Sequence, residues 1–256
     1  MKYIVLSFDD GLSDFKKNAL PILEKYGFKA SLNVVSSFIE KTKNTDYEYM
    51  NEIDLISLYK KGFEIAVHSN SHSKNETSRD IEICLLKLRN MFGNKKFGYI
   101  TPYSINPTEE VFEYIVSNDY LYCADCKVTN HKFSPTIFIR RVFNHFYKSD
   151  KIQQLINNYK YIYKVKFLNK NNFYCFHRVC VTKTFDFECV KKLIKYIKNK
   201  QCLTLMFHSI LKSSDEKCPW PKGAWRVEEF ERLLKYLKSN KRIKVVVQKD
   251  LFGYYV

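Results

Sequence analysis

The chain has 256 residues, 45% of them apolar and 16% aromatic, which is enough for a sizeable core in one large domain. It carries a formal charge of +16, from 43 Lys and Arg against 27 Asp and Glu, but the cations are mostly Lys dispersed along the chain with no block of five or six together. That dispersal indicates a solvated basic surface and weighs against a nucleic-acid partner, and no apolar run approaches the length of an integral membrane segment.

Taken in order, the first apolar stretch, Tyr3 to Phe8, is too short for a secretory signal and lacks a small-residue cleavage site, so it reads as a strand. Further strand-like runs are Ala30 to Val35, Phe63 to Val67, Phe97 to Ile100, Ile137 to Val142, Leu203 to Phe207 and Ile243 to Val247. Stretches of helical period lie between them. Phe15, Ala19, Ile22, Leu23 and Tyr26 share one face; so do Ile81, Leu85, Leu88 and Phe92, and Val111, Phe112 and Ile115 begin a third. Ile152, Leu155, Ile156 and Tyr159 mark a fourth helix, Val190, Leu193, Ile194 and Ile197 a fifth, and Phe230, Leu233, Leu234 and Leu237 a sixth. The least periodic part runs from Tyr161 to Val181, where Phe173 to Val181 is expected to form an extra strand or hairpin. Strands alternating with helices predict an α/β fold, a parallel sheet or barrel. No repeat, low-complexity tract or Pro/Gly linker divides residues 1–256, which read as one catalytic domain.

The eight Cys are scattered, and without an export signal they are expected to be free thiols in a reducing compartment, which places the chain in the cytoplasm. Cys123 and Cys126 form a CxxC, but no second CxxC or Cys/His pair accompanies it to complete a zinc site.

Residues with chemistry fall just after the apolar runs: Asp9 and Asp10 after the first, His68 and His72 after the third, Pro102 and Tyr103 after the fourth, His208 after the sixth. If the strands are parallel, these positions converge on one rim, the C-terminal one. Adjacent carboxylates on extended backbone point different ways, so one suits a cation and the other a proton, and Gly11 permits a tight turn after them. Two imidazoles four residues apart reach one cation if the segment is helical or tightly looped. With one carboxylate they make three protein ligands and leave open positions, a catalytic rather than a structural arrangement. Zinc suits this donor set, with cobalt or nickel as substitutes. His208, at the end of an apolar run, suits a proton donor opposite the base; His177 competes for that part.

Ser7-Phe8-Asp9-Asp10-Gly11 resembles the first signature of the polysaccharide deacetylases, carbohydrate esterase family four, which share the nodulation-type chitooligosaccharide deacetylase homology domain. Gly62 to His72 is similar to the second, a Gly-x-Glu-Ile strand leading into His-Ser/Thr-x-x-His. Met206-Phe207-His208 is similar to the late Leu-x-His signature, and Trp225 with its following helix resembles the usual end. The resemblance implies a distorted, incomplete (β/α) barrel of about seven parallel strands. It implies Asp9 as general base, Asp10, His68 and His72 as metal ligands, His208 as acid, and the Tyr103 backbone N–H, from Pro102-Tyr103 of the third signature, as an oxyanion donor. The substrate implied is an N-acetylated amino sugar in a glycan or glycolipid precursor, met inside the cell, with peripheral contact if it is lipid-linked.

The third signature usually opens with Arg, and Ile100-Thr101-Pro102-Tyr103-Ser104 has none. Arg140 or Arg141 is expected in its stead, since Arg141-Val142 looks like the fourth signature. The missing Arg also keeps open a catalytically silent carbohydrate-binding protein on the same scaffold, and a hydrolase of non-sugar amides remains a further alternative.

Overall fold

The computed structural model describes residues 1–39, 47–118, 120–125, 174–212 and 217–251. Its centre is β1 (Lys2–Phe8), followed by α1 (Leu20–Tyr26), β2 (Ser31–Val34), α2 (Glu52–Lys60), β3 (Glu64–Val67), α3 (Ser78–Phe92), β4 (Tyr99–Ile100), α4 (Glu109–Ser117) and β5 (Tyr122–Ala124). Then come β6 (Tyr174–Phe176), β7 (Val179–Cys180), α5 (Phe187–Tyr196), β8 (Cys202–Phe207), β9 (Ile210–Leu211), β10 (Trp225–Arg226), α6 (Val227–Ser239), β11 (Ile243–Val246) and α7 (Gln248–Leu251). No described helix is long and apolar enough to cross a membrane.

Eight strands form one row, β6-β5-β4-β3-β2-β1-β8-β7, every neighbouring pair parallel, and β11 lies beside the first half of β1. The expected incomplete (β/α) barrel is thus found, with more and shorter strands than the apolar runs indicated. The two end strands of the row are consecutive in the chain, separated only by His177 and Arg178. Two residues span too little distance for the row to lie flat, so it curls until its ends meet. Of the extra strand or hairpin expected over Phe173 to Val181, the strand is found: β6 and β7 run in the same direction, one on β5 and the other on β8, as a single strand interrupted at the seam. The expected strand over Ile137 to Val142 and helix over Ile152 to Tyr159 lie outside the described residues.

Alternation along β1 separates the two faces of the sheet. Ile4, Leu6 and Phe8 pack with Leu32, Val34, Ile65, Val67, Leu203, Leu205 and Phe207 into the layer beneath the helices. There Phe207 stacks on Phe8 at 5.2 Å and meets Phe230 and Trp225 edge-on or tilted. Each such fully buried ring contributes roughly 2–3 kcal/mol. Ser7 and Asp9 are buried on the opposite, barrel-facing side with Asn33, Glu64 and Arg178. Buried polar groups there must be paired, and at the lower end they are: Glu64 accepts from Ser31 Oγ at 2.6 Å, Tyr122 Oη at 2.9 Å and the Lys249 N–H of α7 at 3.0 Å.

Helix α2 has no counterpart among the helical faces read from the sequence, because its apolar residues do not share one stripe: Ile53 is 77% exposed while Leu55 and Leu58 are buried. Its start is nevertheless written locally, since the Asn51 side chain accepts from the Asp54 N–H and the Asp54 carboxylate accepts from the Asn51 N–H.

Candidate active site

The upper rim is built from the residue just past each strand. Asp9 and Asp10 follow β1, His68 follows β3, the turn Pro102–Ser104 follows β4, Asp125 follows β5, Arg178 sits between β6 and β7, and His208 follows β8. Among the described residues, six of the seven non-glycine positions with positive φ lie here: Asp10, Ser69, His72, Tyr103, Ser104 and Asp125. Such backbone is costly and persists where tertiary structure fixes it, commonly at functional sites. The rim is braced by a strap, in which the Met50 N–H donates to Gly11 O at 2.8 Å and Ser13 N–H to Glu48 O at 2.9 Å.

Asp10 has left-handed backbone (φ 72), with its Oδ1 3.3 Å from His72 Nε2 and 3.6 Å from His68 Nε2, while Asp9 Oδ2 lies 3.9 Å from the same His68 nitrogen. The His68-to-His72 segment is a tight loop rather than a helix. His68 Nδ1 lies 2.9 Å from Ile100 O, so it carries the proton and leaves the Nε2 lone pair facing Asp10. Ligand atoms of Asp10, His68 and His72 all lie within 4.8 Å of one another, and Asp10 Oδ1 is buried with no hydrogen-bond partner among the described residues. A buried, unpaired carboxylate oxygen beside two ring nitrogens fits a divalent cation. The charge fits too: Asp9, Asp10 and Asp125 against Arg178 leave two negative charges once the imidazoles are neutral. Burial, helped by His68, lowers the His72 pKa to about 4, which keeps that ring neutral and able to ligate. For His68, burial acts downward but is outweighed by Asp10 and Asp9, so its pKa is raised.

Asp9 is fully enclosed. Burial would raise its pKa, but Arg178, then His68 and His208, hold it well below the usual carboxylate range. Arg178 donates from Nη1 and Nη2 to both Asp9 oxygens at 2.6 and 2.9 Å, and Asn33 Nδ2 donates to Asp9 Oδ1 at 2.6 Å. The other edge of the guanidinium holds Asp125, from Nε at 2.9 Å and Nη2 at 2.8 Å, and the Arg178 N–H donates to Asp125 Oδ1 at 2.9 Å.

Neither Arg178 nor Asp125 was singled out by sequence reasoning. The signal for Arg178 was a lone cation in the apolar run Tyr174 to Val181, a burial that is expensive unless paired. Arg140 and Arg141 lie outside the described residues; among the described ones, the guanidinium on Asp9 is Arg178. His208 is electrostatically linked to Asp9, Asp10, Arg178 and His68, and burial lowers its pKa. Its ring meets Trp220 edge-to-face at 4.7 Å. Tyr103 stands over His72 at 4.5 Å.

The polysaccharide deacetylase family model matches residues 1–118, a range that holds Asp9, Asp10, His68, His72, Pro102 and Tyr103. That stretch is similar to the polysaccharide deacetylase family. Within that family's pattern, Asp125, Arg178 and His208 fall beyond the matched range, and their place at the rim comes from the structure. The fold extends over the whole chain in solved structures. The Xyl-CE4 domain of a multidomain xylanase from the hindgut metagenome of Trinervitermes trinervoides superposes with a TM-score of 0.56 at 16% identity, over 99% of this chain and 91% of that one. Peptidoglycan deacetylase PdaC from Bacillus subtilis gives 0.53 at 16% over 99% and 91%. A mutant of BA3943, a CE4 family pseudoenzyme with restored enzymatic activity, gives 0.52 at 13% over 98% and 67%. At these identities the likeness is one of fold. No curated protein matches the chain in sequence.

Proposed function

We propose that this chain is a metal-dependent hydrolase that removes N-acetyl groups from an amino sugar in a glycan or glycolipid precursor inside the cell. The observation that carries the reading is the convergence of Asp10, His68 and His72 on one point, with the Asp10 oxygen there unpaired and Asp9 clamped beside it. The similarity of residues 1–118 to the deacetylase family model supports the substrate class.

Asp10, His68 and His72 would hold the cation, zinc by the donor set, with cobalt or nickel as substitutes. Bound there, such a cation would supply Lewis acidity for the acetamide carbonyl and the attacking water. Asp9, kept anionic by Arg178, takes the proton from that water. The Tyr103 N–H, in the turn after β4, donates to the developing oxyanion. His208, on the β8 flank, delivers a proton to the departing amine.

A missing arginine motivated the catalytically silent alternative, and Arg178, a bidentate partner for Asp9, supports the hydrolase reading instead. Acetate release from N-acetylated oligosaccharides, measured with zinc and then with a chelator, tests the reading. His68→Ala and His72→Ala should each abolish it; release unchanged in both variants refutes the proposal, and release from non-sugar amides alone would reassign the substrate.

A further inference from the structure

We infer that Glu76 is a positioning residue for His72: it orients the Ser69 hydroxyl, which in turn holds the His72 backbone. The inference rests on the reading of Asp10, His68 and His72 as a cation site.

The two imidazoles are anchored differently. His68 is fixed directly, by its backbone N–H on Val34 O at 3.0 Å and by its ring Nδ1 on Ile100 O. Asn70 is tied to the segment after β2, its carbonyl accepting from the Ser37 N–H at 3.2 Å and its side-chain oxygen from Ser36 Oγ at 2.8 Å. His72 stands beyond these ties, and its N–H donates to Ser69 Oγ at 3.3 Å. Ser69 and His72 both have left-handed backbone, with φ of 75° and 53°, which such residues keep only where their surroundings fix it. The place of the second imidazole therefore depends on the Ser69 hydroxyl.

A serine hydroxyl has one proton and two lone pairs, so it offers a steady acceptor to the His72 N–H when its own proton is committed elsewhere. Glu76 supplies that commitment. Burial raises the Glu76 pKa, and against it the Tyr99 hydroxyl and then the Ser69 hydroxyl, both bonded to the carboxylate, draw it down. Tyr99, on β4 and fully buried, donates to Glu76 Oε2. On the other side Glu76 adjoins Thr77, whose side chain caps α3 by accepting from the Asp80 N–H. The carboxylate is thus held between β4 and the start of α3, and passes the rigidity of both to the rim through one hydroxyl. An ionised carboxylate only accepts, so two hydroxyls can converge on it without competing for the role of donor. Partners that orient a metal ligand from behind set metal affinity by about 10–100-fold.

Cobalt titration of the metal-free, full-length protein, followed by the visible absorption of the bound ion, tests this apart from catalysis. Glu76→Gln keeps the shape but exchanges one acceptor oxygen for an NH2 donor, which claims the Ser69 lone pairs that serve His72. The cobalt Kd should rise about 10–100-fold, with an altered absorption band, while the metal-free Tm stays close to that of the wild type. Ser69→Ala should raise the Kd by a similar factor, and Glu76→Gln added to Ser69→Ala should change it no further, because the two residues act in series. Tyr99→Phe leaves the carboxylate facing Ser69, so it should lower the metal-free Tm more than it weakens cobalt binding. Glu76→Asp, which keeps the charge and loses the reach, should also weaken cobalt binding and stands in if Glu76→Gln does not fold. A cobalt Kd unchanged in these Glu76 variants, or effects of Glu76→Gln and Ser69→Ala that add in full, overturns the inference and leaves the cation site standing. A wild-type protein that takes up no cobalt refutes the cation site and the inference together.

Discussion

Arg178 and Asp9 are 169 positions apart in the chain and meet in a bidentate ion pair at 2.6 and 2.9 Å inside the barrel. The pair spans the seam where β6 gives way to β7, so the residue that fixes the base also sits where the sheet closes. Asp125 occupies the other edge of the same guanidinium.

Loss of Arg178 should therefore damage both fold and chemistry. Arg178→Met leaves two buried carboxylates without a counter-charge, at a cost of about 3–5 kcal/mol in denaturant unfolding. Arg178→Lys keeps the charge without the two-point grip on Asp9, and acetate release should fall at least about tenfold, with the acid limb of its pH profile moving upward. Because the folded Asp9 pKa is depressed, the stability it contributes is present above the ordinary carboxylate pKa of about 4 and lost as pH falls below it. Thermal melts between pH 7 and pH 3 should show that loss in the wild type and a smaller one in Arg178→Met.

Zinc should stabilise the protein. At a hundredfold excess over Kd, binding to the folded form alone adds about 2.7 kcal/mol, visible as a rise in Tm that a chelator reverses. His68→Ala and His72→Ala should lose that rise. Since Asp9 and Asp10 raise the His68 pKa, uptake near neutral pH should release protons, measurable by calorimetry in buffers of different ionisation heat.

His208→Ala should reduce kcat by about 10²–10⁴-fold while leaving the Tm rise with zinc intact, because an acid acts on the leaving group and not on the cation. A comparable loss of metal affinity would instead make His208 a fourth ligand.

Gly98 is a steric test of the barrel interior. A Cβ there would lie 1.9 Å from Tyr122 Cζ, so Gly98→Ala must push away the ring whose hydroxyl donates to buried Glu64 at 2.9 Å. Overpacking and the lost bond together predict at least about 2 kcal/mol of destabilisation, and Tyr122→Phe about 1–3 kcal/mol, both read from urea midpoints. Burial raises the Glu64 pKa, so this group favours the folded state least once pH has risen past its folded value.

Much of this protein was legible along the chain because it is local. Apolar runs marked β1, β2, β3, β8 and β11 to within a residue or two, and Asp9-Asp10-Gly11 and His68-x-x-x-His72 carry their chemistry in adjacent letters. Tertiary structure alone decided the rest. Strand β5, of three residues, is too short to display a period, and the run Phe173 to Val181, which holds β6 and β7, leaves a strand and a hairpin both open. Their identity comes from ladders with distant partners, as does the curl that brings the two ends of the row together. Asp125 has no local pattern and Arg178 only that of a lone cation in an apolar run, because what singles them out is a buried charge meeting its opposite across the barrel. The sequence determined which residues bear the chemistry of a cation site; only the closed fold determined which guanidinium holds the base.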